Sequence, residues 1–297
     1  MPANTPKVTI GMPIYNGARH LAESLDSLLG QTYQNLEILV SDNASTDDTL
    51  AICGHYAAAD PRIRILRQET NIGAARNWNF VAERANGEYF KWASANDVCK
   101  PTLLEACVGV LEQSADVALC YSNTVLFDDE GRQLGLYEDP LDASQAIPSE
   151  RFKSVWQTLR LNNAQNAGVV RTSVLRKTGL EGIYMGGDIP LMCELSLYGR
   201  FERLDEPLFL RRYSENSWSG FFSNTEQEMG FNRPGNSDAL SIDGMRLLAG
   251  LCGRVIRARI PLSQKLSLFP YLLRIANWRK GIIWNEVKNL RVRGSSN

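Results

Sequence analysis

Three clusters of polar residues, each following a short apolar run, carry side chains suited to holding a ligand. Pro13, Tyr15 and Asn16 close the run Lys7–Tyr15, and Ser41, Asp42 and Asn43 follow Leu36–Val40. Ser94, Asn96 and Asp97 follow Glu88–Ala93. Carboxylates, amides and an aromatic ring at neighbouring positions suit a ligand with a planar heterocycle and hydroxyls. The same residue types also form turns and cap helices, so no single cluster decides the matter. Their recurrence after successive strands does. In an open parallel sheet, ligands bind outside the carboxyl ends of the strands.

The elements that must position these clusters are visible as alternating patterns. Lys7–Tyr15, Leu36–Val40, Arg62–Leu66, Glu88–Ala93 and Val117–Tyr121 read as strands. Helical patterns lie between them, among them Leu21, Leu25, Leu28 and Leu29, then Thr49–Ala58, Gly73–Arg84 and Leu103–Gln113. The alternation predicts an α/β fold, a Rossmann-like mostly parallel sheet flanked by helices. Beyond Ser122 the rhythm changes. Asp128-Asp129-Glu130-Gly131 marks a hairpin between Val125–Phe127 and Gln133–Tyr137. Ser149–Leu161 and Ile189–Tyr198 read as helices, and Ala167–Arg171 and Leu208–Tyr213 as strands. Three units are expected: a catalytic-type domain over 1–220, a polar linker over 221–238, and helices over 239–297 broken at Pro261 and Pro270.

Composition narrows the function classes. The chain has 297 residues, 44% of them hydrophobic and 22% charged, ample for a sizeable core. Six cysteines form no CxxC pair, and the first seven residues contain no apolar leader segment. Reduced thiols and a cytoplasmic location are the expectation. Two histidines and no HExxH disfavour a His-rich metal site. There is no GxGxxG after the first strand and no GxxxxGK[ST], against a nicotinamide dehydrogenase or a P-loop NTPase. Charge is unevenly placed: from Gly250 onward ten Lys or Arg face one acid, Glu286, and the preceding residues carry 22 basic against 32 acidic groups. Aromatic and aliphatic residues interleave with those cations. Such a tail fits an anionic membrane surface, or an ordinary packed helix with a solvated basic face, better than nucleic acid.

Together, Val8–Asn16 (VTIGMPIYN), Ser24–Tyr33 (SLDSLLGQTY), Leu36–Thr49 (LEILVSDNASTDDT) and Asn71–Asn77 (NIGAARN) resemble the family 2 glycosyltransferases. The resemblance implies a GT-A fold and inverting transfer of a sugar from a nucleotide-diphosphate donor, most readily a UDP- or dTDP-sugar. The acceptor would be a hydroxyl of a glycan or of a lipid-linked molecule, placing the protein peripherally on the inner face of a membrane. It implies that Pro13, Tyr15 and Asn16 line the nucleoside pocket, that Asp42 accepts a hydrogen bond from the base beside Asn43, and that Arg76 faces the nucleotide. The family's acidic metal motif is altered here: its positions read Ser94-Ala95-Asn96-Asp97. Ser94 would reach a ribose hydroxyl, and Asn96 and Asp97 would hold Mg²⁺ or Mn²⁺ with reduced affinity, because hard cations prefer anionic oxygens. Arg211 would contact the diphosphate, with Tyr213 where the family has histidine. Asp188, after Gly186-Gly187 and before a helix, would be the general base, with Glu194 on a solvated helix face. The alternatives are a sugar-nucleotide-binding member with impaired catalysis, favoured by Ser94, Asn96 and Tyr213, and a nucleotidyltransferase. The latter usually has a Gly-rich basic loop after the first strand, which Pro13–Arg19 is not.

Overall fold

The computed structural model describes residues 7–159, 163–213, 243–284, 286 and 288. The linker expected over 221–238 lies outside the described residues.

The amino-terminal half repeats strand and helix as its periodicity requires. β1 (Val8–Ile14) and β2 (Leu36–Asp42) are buried along their whole length. Between them α1 (Ala18–Leu29) turns Leu21, Leu25 and Leu28 inward, the i, i+4, i+7 stripe of an amphipathic helix. α2 (Thr49–Ala59), β3 (Ile63–Arg67), α3 (Ala74–Glu83) and β4 (Tyr89–Trp92) follow. β3, β2, β1 and β4 are parallel neighbours in that order. α3 lies close over β1, and Gly11 makes room for it. A Cβ there would lie 2.7 Å from the Phe90 ring and 2.8 Å from Val81.

β5 (Val98–Cys99), α4 (Leu103–Gln113), β6 (Val117–Phe127) and β7 (Gln133–Tyr137) come next. β6 and β7 form the expected hairpin, although β6 runs unbroken through the segment where the sequence pattern changes. α5 (Pro148–Thr158), α6 (Asn163–Ala167), β8 (Gly168–Arg171) and α7 (Thr172–Leu175) lead to α8 (Asp188–Tyr198) and β9 (Arg200–Arg212). β8 enters antiparallel between β4 and β6, and β9 pairs parallel with β6 and antiparallel with β5. The result is one nine-stranded sheet.

Toward the carboxy terminus lie α9 (Asp243–Arg257) and α10 (Leu262–Trp278). α9 packs on α8, and α10 on α5 and α9. The chain breaks at Pro261 as expected, but α10 runs through Pro270 without interruption. Proline removes a hydrogen-bond donor and normally breaks a helix. Here Leu268, Tyr271, Leu272 and Ile275 bury one face of α10 on both sides of it, so packing overrides the local penalty. Among the described residues no helix is long and apolar enough to cross a membrane.

Candidate active site

The carboxyl ends of β1 and β2 lie in register, Ile14 opposite Asp42, so two of the sequence clusters meet at one edge. Asp42 is fully buried. Its Oδ1 accepts the Ser45 N–H at 3.1 Å. Among the described residues its Oδ2 has no hydrogen-bond donor; the Arg67 Nε lies 3.8 Å away. A buried carboxylate oxygen without a donor is costly unless a ligand completes it. Arg76 lies one helical turn into α3, exposed, its guanidinium reaching the Ile72 carbonyl at 3.4 Å. Tyr15 is 44% exposed at the same edge, where an aromatic face can take a planar ring.

Other expected ligand residues turn out to hold the loops. Asn16 sits at φ 50°, a conformation asparagine tolerates, and its Oδ1 accepts the Thr46 N–H at 2.8 Å. Asn43 is buried; its Oδ1 accepts the Ile72 N–H and its Nδ2 donates to Asn71 Oδ1, both at 2.9 Å. Its amide therefore ties the 71–73 turn to the end of β2. Ser41 and Asn77 make a similar tie, with Ser41 Oγ donating to Asn77 Oδ1 at 2.6 Å and Asn77 Nδ2 donating to the Ser41 carbonyl. The NIGAARN segment thus places Arg76 by way of Asn71 and Asn77.

The third cluster divides. Ser94 is half-buried and accepts the Asn96 N–H at 3.3 Å, and Asn96 is exposed. Asp97 points the other way, 7% exposed, with its Oδ1 accepting the backbone N–H of Arg212 at 3.1 Å. Burial pushes the Asp97 carboxyl up, opposed by Arg211, the Arg212 N–H, Lys91 and the Arg212 guanidinium. Lys91 is fully buried and bonded to the Asn166 carbonyl. Asp97 therefore faces three buried cations, of which Arg212 is also paired with Glu23. The expected metal pair is thus an exposed neutral amide, Asn96, and a buried carboxylate already opposite cations, a donor set that holds a hard divalent cation weakly by itself. Among the described residues no three His, Cys, Asp or Glu side chains gather into a cation site.

Arg211 and Arg212 reach this region because β9 pairs with β5, Leu210 opposite Val98. Both arginines are buried. Arg212 bonds Glu23, the Asp128 carbonyl at 2.9 Å and the Asn96 carbonyl at 3.2 Å, and stacks over Phe127. Sequence reasoning singled out Arg211 and missed Arg212, which secures the 96–97 turn. Tyr213 is 40% exposed.

Asp188 is the first residue of α8, where the helix N-terminus favours negative charge. Glu194, expected on a solvated face, is instead 1% exposed. It accepts Arg254 of α9 at 2.5 Å and the Gly179 N–H at 2.9 Å. α8 is enclosed on every side, which explains the miss: Pro190 to Leu197 are all buried. A separate cavity, lined by Asp116, Arg151, Tyr198 and Arg200, opens at the amino ends of β6 and β9. Its arginines are engaged by carbonyls and carboxylates, and it lies away from the strand ends just described.

The family model for "Glycosyl transferase family 2" matches residues 9–178. An uncharacterized glycosyltransferase of Haemophilus influenzae is 35% identical over 243 residues, 76% of this chain and 71% of that protein. The putative glycosyltransferase EpsE of Bacillus subtilis is 38% identical over 127 residues, 42% of this chain and 46% of EpsE. Glycosyltransferase GlyG of Streptococcus pneumoniae is 37% identical over 113 residues, 38% of either chain, so the match spans less than half of EpsE or of GlyG. In solved structures the fold is similar to Staphylococcus aureus TarS 1-349 in complex with UDP, with a TM-score of 0.64 at 17% identity, covering 91% of this chain and 71% of that one. It is also similar to the mannosyltransferase PcManGT of Pyrobaculum calidifontis in complex with GDP-Man and Mn²⁺, with a TM-score of 0.54 at 16% identity, covering 94% and 83%.

Proposed function

Given that the chain belongs to glycosyl transferase family 2 and has the GT-A fold, we propose that it transfers a sugar with inversion from a nucleotide-diphosphate donor to a hydroxyl of a glycan or lipid-linked acceptor. The observation that carries this reading is the buried Oδ2 of Asp42, without a hydrogen-bond donor at the shared edge of β1 and β2. A carboxylate there can accept the imide N–H of a uracil or thymine base, hence a UDP- or dTDP-sugar. TarS, crystallised with UDP and with UDP-GlcNAc, supports the pyrimidine choice by analogy of fold. Tyr15 would pack on the base, Pro13 and Ser94 would border the nucleoside, and Arg76 would meet the phosphates.

Asp188 would deprotonate the acceptor hydroxyl. That oxygen then bonds to the anomeric carbon, and the bond to the diphosphate breaks with its electron pair on the leaving group. Exposed Arg76 would meet that charge, with Arg211 at the diphosphate as the family resemblance implies. Thermal shifts with UDP-, dTDP- and GDP-sugars, each with and without Mn²⁺, test the donor reading. A shift with a GDP-sugar alone, or with none of them, would reject it. The substitution of the acidic motif by Ser94 and Asn96, with Asn96 exposed, favours a second reading, a nucleotide-sugar-binding member with little turnover. Measured transfer excludes that reading.

The acceptor side rests on α10. Leu268, Tyr271, Leu272 and Ile275 of the expected apolar tail are buried, whereas Leu262, Leu266, Phe269 and Leu273 stand exposed at 4-, 3- and 4-residue spacing. That spacing makes one apolar stripe along the outer side of the helix. Glu286, the tail's acid, is buried and accepts the N–H groups of Gly244 and Met245, so its charge faces inward. An outer surface with apolar side chains beside the exposed cations Arg274 and Lys280 fits an anionic lipid surface, where a lipid-linked acceptor would be found.

A further inference from the structure

β3 ends at Arg67, and its parallel register sets that residue opposite Asp42, the last residue of β2. Residues paired across neighbouring strands send their side chains to the same face of the sheet. The two groups therefore stand side by side at the carboxyl edge, with Arg67 Nε 3.8 Å from Asp42 Oδ2. That separation is too long for a hydrogen bond between them.

The backbone beneath Arg67 is fixed through the next residue. The Gln68 N–H donates to the Asp42 carbonyl at 2.8 Å, and Gln68 Nε2 donates to Ser41 Oγ at 3.2 Å. Ser41 is held in turn by Asn77 of α3. The side chain is uncommitted by contrast. It is 60% exposed, and among the described residues no acceptor takes a guanidinium N–H of Arg67. The other arginines of this segment are engaged: Arg62 bonds Asp60, Gln34 and the Leu29 carbonyl, and Arg64 pairs with Glu37 at 3.5 Å. A rigidly based set of free donors thus adjoins a buried acceptor that has no donor.

We propose that Arg67 is a specificity-determining residue of the donor site, its guanidinium donating to a carbonyl of the base whose adjacent imide N–H is accepted by Asp42. The proposal rests on the reading of Asp42 as the base acceptor. Uracil and thymine carry an imide N–H between two carbonyl oxygens. A carboxylate takes the N–H and a neighbouring guanidinium takes one of those oxygens, each bond assisted by a full charge. Cytosine reverses both atoms. Its ring nitrogen is an acceptor that would face the carboxylate, and its exocyclic amine would turn donors toward the guanidinium. Arg67 and Asp42 together therefore reject at two atoms a base that Asp42 alone would reject at one. Arg76, on α3, is left to the phosphates.

The test is calorimetry of the full chain and of Arg67→Met with UDP, 2-thio-UDP, 4-thio-UDP and N3-methyl-UDP. Sulfur in place of a carbonyl oxygen is a weak acceptor. One of the two thio analogues should bind the parent about tenfold or more weakly than UDP does, the scale of a lost hydrogen bond to a charged group. Arg67→Met should bind UDP weakly by the same factor and should no longer distinguish UDP from either thio analogue. A thio penalty as large in the variant as in the parent, or no penalty in the parent, overturns the proposal; a cation that only balances Asp42 gives one of these results. The melting temperature of Arg67→Met should match the parent's, since an exposed side chain without a hydrogen bond has little to lose. A large fall would make Arg67 a structural tie and overturn the proposal as well. Failure of the underlying reading has its own signature: N3-methyl-UDP binding the parent as tightly as UDP would show that Asp42 does not accept the imide N–H, whatever the thio analogues do.

Discussion

At the scale of single residues, three side chains carry separate predictions and each can be addressed alone. Asp188→Asn should reduce transfer by about a hundredfold or more, the scale of general-base loss, with donor binding by calorimetry nearly unchanged. Near-normal turnover would move the base elsewhere. Glu181 gives a stability test whose sign can be worked out. Burial and then the charge of Asp188 push its carboxyl up to about 8, above the ordinary glutamate value of 4.5, so between those limits the folded state binds more protons than the unfolded state. Stability attributable to this group is therefore greatest below 4.5 and declines as pH rises toward 8. Glu181→Gln should accordingly raise the melting temperature more at pH 8 than at pH 5. An equal shift at both pH values would count against a buried proton. With Asp97 turned toward Arg211, Arg212 and Lys91, Mn²⁺ should give little heat with the free protein and more once UDP is present. Strong binding to the free protein would mean that other ligands exist.

At the scale of elements, the loop before α8 and the α8–α9 contact decide where Asp188 stands. Gly187→Ala must push its Cβ against the Gly182 carbonyl, so the loop opens. Transfer should fall at least tenfold by misplacement of the base while the sheet, followed by circular dichroism, is retained. Arg254→Leu leaves Glu194 buried without its counter-charge. Breaking one side of such a pair costs about 3–5 kcal/mol, readable in a urea titration, and should also loosen the Leu180 carbonyl that Arg254 holds. A loss under about 1 kcal/mol would show that Glu194 finds water or another donor instead.

At the scale of the whole molecule, the sequence joins an acidic body to a basic end, with ten Lys or Arg against one acid from Gly250 onward. Removing α10 would expose Leu268, Tyr271, Leu272 and Ile275 and so confuse unfolding with loss of binding. Substituting the outer stripe avoids this. Leu266→Gln, Phe269→Gln and Leu273→Gln together should keep the melting temperature and abolish co-sedimentation with phosphatidylserine-containing vesicles. The parent's binding should weaken with salt as its cations are screened. At about 1 kcal/mol per engaged cation, four would suffice for reversible binding. If the parent ignores such vesicles at low salt, the stripe packs against protein and the acceptor is soluble.

The order of strands and helices through Tyr121, the two-residue β5 excepted, was legible because hydrophobic period and turn residues are local properties of the chain. The motifs around Asp42, Arg76 and Asp188 were legible for the same reason, each lying within a few residues of a strand end or helix start. Tertiary structure alone settled the rest. Antiparallel β8 between β4 and β6, and β9 bringing Arg211 and Arg212 onto Asp97, are pairings between residues about 50 to 115 positions apart, with no local trace. The same holds for Glu194: a carboxylate on a helix reads as solvated until α9 delivers a guanidinium to it. Glu181 shows the limit most clearly. Nothing local in the sequence marks it, and only the fold sets it against the Gln165 amide and within the field of Asp188.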